Sequence, residues 1–168
     1  RACILPDAER SDKEFRVDLS LKRTMFVDGD EASIEVTSTR DAYLYIYSVD
    51  MDWNAVLIFP NDYVQDNQVR SAQTFVYPSE EINRKGIRVV ARLPAGAAVS
   101  AEMIRVIATK TPLPKSIVYP TEQNHGGRNL LGSSEVHGQG SFLNLMRELN
   151  RADTEWVEDA QAFTVHKR

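Results

Sequence analysis

The chain has 168 residues, 42% of them hydrophobic and 26% charged, a balance that suits one globular domain able to bury a core without metal or disulfide staples. Its formal charge of -4 and pI near 5.4, with no stripe of Lys and Arg to neutralise a row of phosphates, argue against nucleic acid as a partner. No apolar run approaches the roughly 20 residues that cross a bilayer as a helix, so no transmembrane segment is expected.

Residues 1–14 are polar, carry Pro6 and show neither helical nor strand periodicity; they are expected to form a flexible lead-in. The opening Arg1-Ala2-Cys3-Ile4 does not have the form of a signal peptide. Cys3 is the sole cysteine, which rules out an internal disulfide. Ala2 before it is the small residue that lipoprotein processing prefers, so a lipid anchor at Cys3 is one reading, with Arg1 against it.

The patterned domain is expected over 15–168. Phe15, Val17, Leu19 and Leu21 alternate with polar neighbours, the period of a strand with one wet face. Asp28-Gly29-Asp30 reads as a turn, and Ile34 and Val36 continue the alternation. Tyr43–Val49 and Ala55–Phe59, joined by Asp50–Asn54, predict an antiparallel hairpin whose strands are apolar on both faces and therefore covered from two sides. Thr74–Tyr77, Arg88–Leu93 and Met103–Thr109 are further strands, broken by Pro78, Gly86 and Pro94-Ala95-Gly96.

Residues 112–140, rich in proline and glycine, predict a long surface loop. Ser141 then starts a helix over about 141–151, in which Phe142, Leu145, Met146 and Leu149 form one apolar stripe. That stripe needs cover, and the second face of the central hairpin offers it. A short strand near 160–165 ends the pattern. Together these elements predict a mainly β fold, an antiparallel sandwich, immunoglobulin-like or related, with one C-terminal helix packed on a sheet.

Several groups of residues could carry chemistry. Asp50-Met51-Asp52-Trp53-Asn54 opens like a calcium loop, but Ala55 stands where the turn glycine belongs and Asn61 where the bidentate glutamate belongs. His125 and His137 could each ligate a metal, yet no paired spacing supports a site and no cofactor is expected. Ser133 and Ser134 lack a nucleophile elbow. Tyr43, Tyr45 and Tyr47 share one face of one strand, with Trp53 in the adjoining turn. They are the candidate binding residues, by stacking on a ligand, and equally the surface that would receive the helix.

Met25-Phe26-Val27-Asp28-Gly29-Asp30 before Ile34-Glu35-Val36, then Arg40–Tyr45, Phe59-Pro60-Asn61 and Glu102–Thr109 together resemble the bacterial family called domain of unknown function 4384. Asp52-Trp53 departs from the Asp-Gly usual in that family's hairpin turn. The resemblance implies a domain of the periplasm or cell envelope, found in lipoproteins and beside signalling or peptidase domains, with no catalytic residue set to carry over. The expected function is a non-catalytic module that binds a protein partner or a cell-surface polymer, or serves as a scaffold. The alternative is a metal-dependent or other hydrolase with a site near His125, His137 and Asp50–Asn54.

Overall fold

The structure, a computed structural model, describes residues 14–118, 134–136 and 141–168. In chain order its strands are β1 (Val17–Leu21), β2 (Met25–Val27), β3 (Glu31–Ala32), β4 (Ile34–Ser38), β5 (Ala42–Val49), β6 (Ala55–Phe59), β7 (Gln68–Val69) and β8 (Thr74–Tyr77). Helix α1 (Glu80–Arg84) leads to β9 (Val89–Val90) and β10 (Val99–Thr109), and α2 (Lys115–Val118) to β11 (Ser134–Val136). Helix α3 (Ser141–Leu149) and β12 (Trp156–His166) follow.

The strands build a large sheet in the order β11-β6-β5-β10-β12-β2, with β7 joined to the start of β5, and a small sheet in the order β1-β4-β8. A two-stranded ribbon, β3-β9, stands beside them. The fold is mainly β and sandwich-like, with antiparallel pairing except between β2 and β12, which run parallel.

Strand β5 shows how sequence becomes layering. Successive side chains leave a strand on opposite faces. Ala42, Leu44 and Ile46 accordingly enter the core between the two sheets, while Tyr45, Tyr47 and Val49 enter a second core on the far face. Both faces of the hairpin are covered, as its two-sided apolarity predicts. Each buried Leu, Ile or Val stabilises the fold by about 1.5–3 kcal/mol, so a strand used on both faces anchors two layers at once.

Val17, Leu21, Ile34, Val36 and Tyr77 of the small sheet fill the first core from the other side. The register of β5 and β6 shifts between Ile46 and Tyr47, as at a bulge. Ile58 and Phe59 therefore both turn toward the sandwich, where the Phe59 ring packs 4.9 Å from Phe75 and 5.0 Å from Tyr77.

The far core holds the helix. Phe142, Leu145 and Leu149 are buried against Tyr45, Tyr47 and Leu57, with Met146 half-buried beside them. Two phenols tie the layer down: Tyr47 donates to the Val118 carbonyl at 3.1 Å, and Tyr45 accepts from the Leu113 N–H at 2.8 Å. Ser141 Oγ accepts the Ala55 N–H at 2.8 Å, which pins the start of α3 to the hairpin.

Four expectations need correction. The 112–140 stretch is not loop throughout: α2 lies within it, with Ile117 and Val118 packed in the far core, and β11 pairs with Ala55–Leu57, the edge that β6 would otherwise leave open. The final strand spans 11 residues rather than a short run, because β10 supplies a partner of equal length. Only Val89–Val90 of the 88–93 run forms a ladder, since its partner β3 is two residues long. Helix α1 was not anticipated, although Ser79 accepts the Ile82 N–H as its N-cap and Glu80 and Glu81 occupy the first turn.

Candidate functional site

Tyr45 and Tyr47 are 3% and 1% exposed, so neither ring can meet a ligand from solvent; both are packing residues beneath α3. Tyr43, on the same face, is half-buried against the same core. Trp53 is different: it is 38% exposed, stacks on Phe142 with centroids 6.3 Å apart, and receives the Arg105 guanidinium 5.4 Å from its ring. Its φ of 63° lies in the left-handed region, where a glycine would sit without strain.

The acidic turn is committed to its own backbone. Asp50 Oδ1 accepts the N–H groups of Asp52 and Asn54, each at 2.9 Å, and Oδ2 accepts Asn54 Nδ2 at 2.8 Å. Such Asx bonding is the usual reason for Asp in a turn. Among the described residues no cluster of three or more His, Cys, Asp or Glu is placed to hold a metal. His125, His137 and Cys3 lie outside the described residues.

A concave feature among the described residues lies elsewhere, at one end of the sandwich. Leu21 and Ile34 of the small sheet, Val56, Ile58 and Ile104 of the large sheet, and the Val89–Ala91 run enclose a half-open cavity of about 290 Å³. Its size sits at the lower end of ligand pockets, and its walls are mostly apolar with a few polar groups, the usual make-up of such a site. Those groups are Ser48, Asn61, Tyr77, Arg88, Arg92 and Glu102.

The polar groups are not equivalent. Asn61 Nδ2 donates to Ile58 O at 2.9 Å and to Tyr77 Oη, while its Oδ1 accepts the Tyr63 and Val64 N–H groups. Burial pushes the Tyr77 phenol above its ordinary pKa, with the Asn61 bond pulling the other way. Arg88 is held by Glu31 Oε1 at 3.2 Å and by the carbonyls of Asn83 and Ile87. Arg92 is exposed at the rim.

Glu102 is half-buried, and its Oε2 accepts the Ser48 hydroxyl at 2.9 Å. Burial raises its pKa above the usual carboxylate range, the Ser48 bond opposes that rise, and the charge of Asp50 adds to it. No Lys, Arg or His of the described residues forms an ion pair with it. A carboxylate in an apolar recess without a cation is costly to keep ionised.

Sequence reasoning passed over Glu102, though a signal was present. Glu102 is in phase with Ile104, Val106 and Ala108, which all face the sandwich core, so the strand period places a charge on the inward face. The remaining lining residues come from segments up to 142 positions apart in the chain, from Leu21 to Phe163, and no local pattern brings them together.

A family model described as Domain of unknown function (DUF4384) matches residues 25–112, a little over half of the chain. No curated protein and no solved structure matches it significantly.

Proposed function

Because the chain belongs to the family described as Domain of unknown function (DUF4384), whose description assigns no chemistry, we propose from the site itself that it is a non-catalytic, protein-binding module of the bacterial cell envelope. The observation that carries this reading is the half-open, mostly apolar cavity of about 290 Å³ between the sheets, with Glu102 and Ser48 on its wall. Rigid strands hold those groups, so the recess is preformed, and a partner side chain entering it loses water without remodelling the fold. The cell-envelope setting rests on the family resemblance alone.

Protein-observed NMR on the full chain with a library of small apolar fragments tests the site. Shifts are expected at Ser48, Ile58, Val90 and Ile104, and a Val56→Trp substitution that fills the recess should abolish them. Fragments that shift other regions and leave these residues unmoved would refute it.

A further inference from the structure

We infer that the cavity receives the side chain of a lysine from a protein partner, with the ammonium paired to Glu102 and the methylenes against the apolar walls. This deepens the binding-module reading and rests on it. Three observations converge on that occupant.

The first is charge. Glu102 faces the recess with one oxygen bonded to the Ser48 hydroxyl and no cationic partner among the described residues. An arriving ammonium supplies the missing countercharge where the dielectric is low and the attraction correspondingly strong. The second is shape. Val56, Ile58 and Ile104 line the recess beside Glu102, and a four-carbon stem covers apolar surface of this kind while its head stays polar. The third is the state of the two lining arginines. Arg88 pairs with Glu31 and donates from Nη1 to the carbonyls of Asn83 and Ile87, Arg92 is exposed at the rim, and neither forms an ion pair with Glu102.

The long-range field points the same way, since a net charge of -4 steers basic partners toward the protein. Lysine suits the geometry better than arginine. Its ammonium is a compact charge matched to one carboxylate with one oxygen already engaged, whereas a guanidinium needs both oxygens for its fork.

Isothermal titration and NMR on the full chain, with n-hexylammonium chloride, n-hexanol and sodium hexanoate as probes, separate the components. Hexylammonium should bind about tenfold more tightly than hexanol, shifting Ser48, Glu102 and Ile104, and hexanoate should bind weakest. Glu102→Gln, with an otherwise unchanged spectrum, should bring hexylammonium down to the affinity of hexanol. The blocked peptide Ala-Ala-Lys-Ala-Ala should shift the same residues, and its all-alanine counterpart should not.

Hexanol seated in the recess with no preference for the ammonium would overturn the lysine assignment and leave the binding-module reading standing. Silence of all three probes at these residues would overturn both. Tighter binding of hexanoate, unchanged hexylammonium affinity in Glu102→Gln, or failure of the lysine peptide while hexylammonium binds would each also defeat the assignment.

Discussion

The Leu19 N–H donates to Asp159 Oδ2 at 2.8 Å, joining the outer edge of the small sheet to a strand of the large one. Two residues further along, the Leu21 N–H donates to Gln161 Oε1, also at 2.8 Å. Strand β1 has β4 on one side only. Side chains of β12 thus take the hydrogen-bonding place that a further strand would fill, and blunt an edge otherwise open to pairing with another chain.

Removing either side chain leaves a half-buried amide without its acceptor. Asp159→Ala and Gln161→Ala should each cost about 1–3 kcal/mol, read by chemical denaturation. The double variant should also self-associate at concentrations where the parent is monomeric, which sedimentation would show. Single variants as stable as the parent would mean that water replaces both acceptors without loss.

The helix layer gives a second test. Leu145 of α3 is 1% exposed, and Leu145→Ala should cost about 2–5 kcal/mol through lost burial and the cavity left behind. Tyr47→Phe keeps the ring and deletes the hydroxyl that reaches Val118, so a smaller cost of about 0.5–1.5 kcal/mol is expected. Urea midpoints of the two variants would rank them.

Trp53 allows strain and stacking to be separated. At φ 63° glycine is favoured over alanine by roughly 1 kcal/mol, the reverse of their order in ordinary backbone. Trp53→Gly should therefore be more stable than Trp53→Ala, although both lose the contact with Phe142 and Arg105. A Trp53→Ala protein as stable as Trp53→Gly would show that the turn relaxes out of the left-handed region.

Glu102 should leave a signature in pH. Its pKa is raised in the folded chain above the ordinary value of 4.5, chiefly by burial, so the folded state binds the proton more tightly than the unfolded state does. The stability this contributes is fully present below the unfolded pKa and is lost as pH rises through the folded one. Glu102→Gln, which stays neutral, should thus gain stability relative to the parent at neutral pH, with the gap closing below pH 4.5. Thermal melts across that range would decide it; a gap that widens on acidification has the wrong sign for this origin.

The hairpin and the helix were legible because their signals are local. The two-sided apolar run of 43–49 and the 142, 145, 146, 149 stripe each lie within one element, and each apolar face found its cover. Strand β12 was under-read for a physical reason: Asp159 and Gln161 share the sandwich-facing side with Phe163 and Val165, but serve as acceptors for β1 instead of filling the core. A polar residue that caps a distant strand breaks the very alternation by which a strand is recognised. The parallel pairing of β2 with β12 and the cavity between the sheets depend on contacts across most of the chain, and neither leaves a local trace.

The place of β12 also sets an order of events during synthesis. Strand β12 lies between β10 and β2, so residues 25–27 have no partner in the large sheet until residues 156–166 have left the ribosome. The hairpin of β5 and β6 can form as soon as it emerges, since its contacts are short in sequence, whereas closure of the sheet waits for the most distant pairing. From its own emergence until that of β12, the 11-residue edge of β10 is unprotected on one side. The nascent chain is accordingly at its most aggregation-prone just before β12 emerges, when a chaperone holding that edge would have the most to protect.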